Sequence, residues 1–124
     1  MIRKMFPLVV VLALMAGALI AQDKSVTLNG YLIDNSCAAN HEKDKTFGTW
    51  VKTHGTSCAT MEACEKSGYG VVVGEKLYKF DDAGNTSAAE LLKNTKAKKG
   101  LHVKAEGTVD GDTLKVTKLT EVTE

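Results

Sequence analysis

The chain carries three cysteines, an odd number, and no two of them stand in a C-x-x-C pair. That absence excludes the standard zinc ribbon and finger spacings, and with no C-x-x-C-H there is no c-type haem attachment. No enzyme signature stands out. A Cys–His hydrolase needs a third orienting group and an oxyanion site, and nothing in the sequence marks either. An excess of one charge is missing too. The chain holds 16 Lys and Arg against 15 Asp and Glu. Setting aside Arg3 and Lys4 leaves 14 against 15, a net charge near −1, which argues against a nucleic-acid partner. Asp81–Glu90 opens like a calcium loop, but Ala83 occupies a required acidic position and the glycine is misplaced. There is no internal repeat and no low-complexity segment.

What is present begins with an export signal. Arg3 and Lys4 precede an apolar run, Met5 to Ile20, that ends in small residues. The run is short for a membrane span and suits signal peptidase, with cleavage after Ala18 or Ala21. No cysteine follows closely enough for lipid attachment. Residues 1–21 are therefore read as a signal peptide and 22–124 as one domain, periplasmic or secreted. Export places the cysteines where disulfides form and persist.

The remaining chain reads as short strands with turn signals. Ser25–Asp34 alternates Val26, Leu28 and Leu32 against Thr27 and Asn29, with Gly30 marking a bend or bulge. A polar stretch, His41 to Thr46, reads as loop, and Ser57 caps a helix predicted over Cys58–Ser67 that Gly68 closes. Tyr69–Val73 and Lys76–Phe80 form a hairpin across Gly74-Glu75. Asp81–Asn85 reads as a turn, and Ser87-Ala-Ala-Glu90 as a capping box opening a helix that runs to Thr95. The basic run Lys96–Lys99 and Gly100 close it. Leu101–Asp110 and Thr113–Val122 pair across Asp110-Gly111. The predicted fold is mainly β with two short helices. It is a five-stranded OB-like barrel with a Cys/His helical insertion between strands one and two.

The residues G-Y-L-I-D-N-S-C-x3-H, C-x5-C-x3-G-Y, L-Y-K-F and V-x-A-x-G-T-V-D-G-D-T-L-K-V cover most of the chain beyond the signal. In this combination the chain resembles a group of small exported bacterial proteins of unknown function. The resemblance implies a signal peptide, a Cys/His loop and a compact β-barrel, and brings no activity with it.

The chemistry is concentrated between Asn35 and Gly68, which holds all three cysteines, His41, His54 and the single tryptophan. In one continuous helix, Cys58 and Cys64 would be separated by about 9 Å of rise, beyond the roughly 7 Å that a disulfide allows between α-carbons. Cys37 is then the expected partner of one of them, Cys64 in preference. Cys58, His54, His41 and Met61 are left as a soft or borderline ligand set for copper or zinc. Phe47 and Trp50 read as the apolar lid of this loop, and His102 as a solvated strand residue. The expected function is a small exported binding module that is not an enzyme, with copper or zinc as its cofactor. The other reading is a disulfide-stapled barrel without metal that binds a protein or small ligand.

Overall fold

A computed structural model describes residues 25–123; the expected signal peptide lies outside the described residues. Five strands form one sheet: β1 (Ser25–Asp34), β2 (Tyr69–Val73), β3 (Lys76–Phe80), β4 (His102–Asp110) and β5 (Thr113–Glu121). They hydrogen-bond in the order β1-β2-β3-β5-β4, and β4 pairs back onto β1, closing the sheet into a barrel. All contacts are antiparallel except β3 with β5. The first hairpin turns at the expected Gly74-Glu75, whereas the second turns at Gly111-Asp112, one residue beyond the expected Asp110-Gly111, because Asp110 pairs with Thr113; both glycines take φ +62°. Of the bend or bulge expected at Gly30, no bulge forms, since the register runs unbroken there; it shifts instead between Glu106 and Gly107. Gly30 pairs in register with Val103 where β1 passes from β4 to β2. A Cβ on Gly30 would lie 2.2 Å from the Val72 carbonyl oxygen, so close strand approach requires this glycine.

Among the described residues there are five α-helices rather than two. Four lie in the insertion between β1 and β2: α1 (Asn35–His41), α2 (Phe47–Trp50), α3 (Thr56–Ala59) and α4 (Glu62–Lys66), with a 3-10 turn at Val51–Thr53. The fifth, α5 (Asp82–Asn94), begins five residues before the expected capping box. Asp81 caps it by accepting from the Gly84 amide at 3.0 Å, so the anticipated turn is the helix's first turn. Lys96–Lys99 does not close this helix. It runs on as a segment whose carbonyls receive the insertion: Thr56 N–H donates to Lys98 O and its hydroxyl to Ala97 O.

The strand alternation sorts side chains into two cores. Leu32, Val71 and Phe80 point inward with Val103, Ala105 and Leu114. Ile33, Val72 and Leu77 point outward and are covered by Ala38, Phe47 and Val51 of the insertion. Burying each large apolar side chain contributes about 1.5–3 kcal/mol. The second core therefore holds the insertion to the barrel wall, with Phe47 and Val51 fully buried.

Candidate functional site

The insertion delivers three cysteines to one point. The sulfurs of Cys37, Cys58 and Cys64 all lie within 4.8 Å of one another. A second group shares Cys37: its sulfur, an Asp34 carboxylate oxygen and a His54 ring nitrogen also lie within 4.8 Å of one another.

Each position has a local cause. Asp34 ends β1 and caps α1, its Oδ2 accepting from the Cys37 amide at 2.8 Å. This sets Cys37 one turn into a helix starting directly from the barrel wall. His54 is held by its backbone, where Gly100 N–H donates to His54 O at 3.0 Å. Its ring lies edge-on to Trp50, with centroids 5.3 Å apart. Gly100 adopts φ +62°, and a Cβ there would meet the Lys52 carbonyl oxygen at 2.3 Å.

The helix predicted over Cys58–Ser67 is broken. Thr60 ends α3, and Met61 is extended at φ −62°, ψ 144° before α4 begins. Two side chains satisfy the carbonyls exposed at the break. The Thr60 hydroxyl donates to Ser57 O at 2.8 Å, and the buried Tyr69 hydroxyl donates to Ala59 O at 2.8 Å. The turn between α3 and α4 brings Cys58 and Cys64 together. It removes the helix-rise argument that separated them. The three thiols are unbridged here, and the sulfurs of Cys37 and Cys64, the expected disulfide partners, lie within 4.8 Å of each other. Cys37 and Cys64 complete a cluster with Cys58.

Of the expected ligands, Cys58 and His54 reach this region and two others do not. Met61 is 61% exposed at the turn between α3 and α4. His41 stacks on Trp50, with ring centroids 3.8 Å apart, and its Nδ1 lies 3.1 Å from Asp44 Oδ2. His54 also lies outside α3, so it is not one turn before Cys58 on a common helix face. His102 is half-buried and stacks on Tyr31 at 5.0 Å, rather than standing free in solvent. Phe47 and Trp50 do form the apolar cover expected of them. The residue that sequence reasoning missed is Asp34. Its signal was the D-N-S-C pattern, a helix cap three residues before a cysteine.

Electrostatics oppose charge on the thiols. Burial, followed by the negative Asp34, pushes the Cys37 thiol up to about 12, and the same two causes raise Cys64. Burial lowers His54, partly opposed by Asp34, which favours the neutral imidazole that binds metals. Asp34 is fully buried, and neither its Oδ1 nor His54 Nε2 has a hydrogen-bond partner although they are 3.4 Å apart. Unsatisfied buried polar atoms of this kind are uncommon.

The donors fit a soft or borderline ion. Tetrahedral zinc with Zn–S near 2.3 Å places its sulfurs about 3.8 Å apart, so the cluster needs a contraction of at most about 1 Å. Elsewhere, Tyr31, Lys52, Glu75 and His102 line a shallow concavity of about 270 Å³ on the barrel wall. No family model, curated protein or solved structure matches the chain.

Proposed function

We propose that the chain is an exported, OB-like binding module that holds one zinc(II) or copper(I) ion through Cys37, Cys58 and Cys64, with His54 beside Cys37 as the fourth donor. It is a binding protein and not an enzyme. The convergence of three sulfurs within 4.8 Å from three separate helices is the observation that carries this reading. Three thiolates suit copper(I), and three thiolates with an imidazole suit a closed zinc site. The buried, unpartnered His54 Nε2 and Asp34 Oδ1 support it, because a cation would satisfy both polarity and charge there. The bound ion would supply a cross-link among α1, α3 and α4 within the insertion. The signal-like N-terminal run and the resemblance to small exported bacterial barrels support a location outside the cytoplasm.

Titration of the reduced protein with zinc(II) against a chromophoric chelator, and with cobalt(II) to read thiolate charge transfer, tests the proposal. One equivalent should bind with intense sulfur-to-cobalt absorption. Binding of no ion, or of cobalt without thiolate absorption, defeats it. The second reading, a stapled barrel without metal, draws on the same proximity. Protein isolated from its own compartment with one disulfide and no metal would favour it.

A further inference from the structure

We propose that the Cys37–Cys58–Cys64 cluster is also a thiol–disulfide exchange centre, in which Cys58 exchanges with an external disulfide, Cys37 or Cys64 resolves the adduct, and oxidation excludes metal. Only the exclusion of metal rests on the function proposed above.

Two observations carry the inference. First, each sulfur lies within 4.8 Å of both others. Forming a disulfide at about 2.05 Å then needs under about 3 Å of sulfur movement, shared by two side chains. Extended Gly55 precedes the four-residue α3 and extended Met61 follows its cap, so Cys58 stands on the shortest of the three helices, between two points where the chain changes direction. Second, the three thiols differ in access. Cys64 is only 9% exposed, and Cys37 packs against the core between insertion and barrel. Cys37 and Cys58 are both partly exposed, and of the two only Cys58 packs against neither apolar cluster. An attacking disulfide therefore meets Cys58 first, with a resolving sulfur already beside it. A third sulfur within reach of either partner also lets the bridge migrate without unfolding.

The exchange balances as follows. The Cys58 thiolate attacks one sulfur of a disulfide R–S–S–R, forming a Cys58–S–S–R bond and expelling R–S⁻, which takes up a proton. Cys37 or Cys64 then attacks Cys58 Sγ, forming the intramolecular disulfide and expelling the second R–S⁻, which is protonated in turn. Two protein thiols are oxidised, and the external disulfide is reduced to two thiols. The bridge takes two donors from the metal set and leaves one thiol.

The test uses the reduced, metal-free chain without its signal and glutathione disulfide as the probe, with acid quenching and peptide mapping. The first adduct on the wild-type chain should map to Cys58. It should then disappear into one intramolecular disulfide with one titratable thiol remaining. A Cys37→Ser/Cys64→Ser double variant should hold the adduct on Cys58, and Cys58→Ser should consume glutathione disulfide about tenfold more slowly or less. One equivalent of zinc(II) should slow oxidation of the wild-type chain. A first adduct on Cys37 or Cys64, or three thiols that persist with the probe, overturns the exchange centre. The mapping is done on the wild-type chain, so a folding defect in a variant does not affect it. Exchange through Cys58 without zinc(II) uptake defeats the metal reading and leaves the exchange centre intact. Zinc(II) uptake by a chain whose metal-free thiols resist the probe does the reverse.

Discussion

The carboxylate of Asp34 and the imidazole of His54 face each other inside the insertion, with Oδ1 and Nε2 3.4 Å apart, and neither atom makes a hydrogen bond. The other oxygen of Asp34 is committed to the Cys37 amide. One buried side chain thus ends a strand, starts a helix and lends negative charge to the thiol cluster. These roles can be separated by substitution. Asp34→Asn retains a capping oxygen and loses the charge. Asp34→Ala loses both and should destabilise the fold by about 1–2 kcal/mol through the cap alone. Denaturant titration of the two variants should rank Ala well below Asn; equal stability would mean that the cap contributes nothing.

The ligand set drawn from the structure differs from that drawn from sequence spacing, and mutation distinguishes them. Met61→Leu and His41→Ala should leave zinc(II) or cobalt(II) affinity within about threefold, because neither side chain belongs to the cluster. Cys37→Ser, Cys58→Ser and Cys64→Ser should each weaken it by about tenfold or more. A Met61→Leu variant that loses binding would return the site to the surface of the turn between α3 and α4.

Stability should fall on both sides of a plateau between pH 6.5 and 9. In the folded chain Cys37 is raised from 9.0 to about 12, and Tyr69, desolvated by burial, from 10.0 to about 12. The unfolded chain loses these protons first and binds fewer of them, so stability declines as pH rises from 9 towards 12. His54 is lowered from 6.5 by burial. There the unfolded chain binds the proton more readily, and stability declines as pH drops below 6.5. Denaturant midpoints of the reduced, metal-free chain across this range measure both arms. A midpoint that holds constant from pH 8 to 11 contradicts the alkaline arm.

Gly84 lies within α5, where alanine would ordinarily gain up to about 1 kcal/mol in helix propensity. Here a Cβ would lie 2.6 Å from Val116 Cγ2 and 2.7 Å from Phe80 Cβ. Gly84→Ala should therefore destabilise the fold by about 1–3 kcal/mol, overpacking outweighing propensity. Thermal unfolding gives the sign, and a stabilised variant would mean that α5 can lift off the barrel freely.

Much of the scaffold is determined locally, and the sequence alone determined it. Ser25–Asp34 and the strand after Leu101 follow from alternation, Tyr69–Val73 and Lys76–Phe80 from valine and aromatic content, and both hairpins from glycine-bearing two-residue turns. The Cys/His stretch was legible as an insertion because it is too long for an ordinary connection. Its internal path was not legible. Helix propensity over Cys58–Ser67 carries no sign of the Tyr69 hydroxyl that takes up the Ala59 carbonyl, and one extended residue, Met61, redirects the chain. Nor does sequence show that the second core would bury Phe47 and Val51 while the barrel core takes in Ala59 of α3. Spacing could count three sulfurs and two imidazoles. Only tertiary packing decided that the sulfurs meet, that His41 and Met61 stay outside, and that Asp34 belongs with them. Whether residues far apart in sequence meet depends on burial and on backbone hydrogen bonds closed across the fold, and neither is a property of a short window.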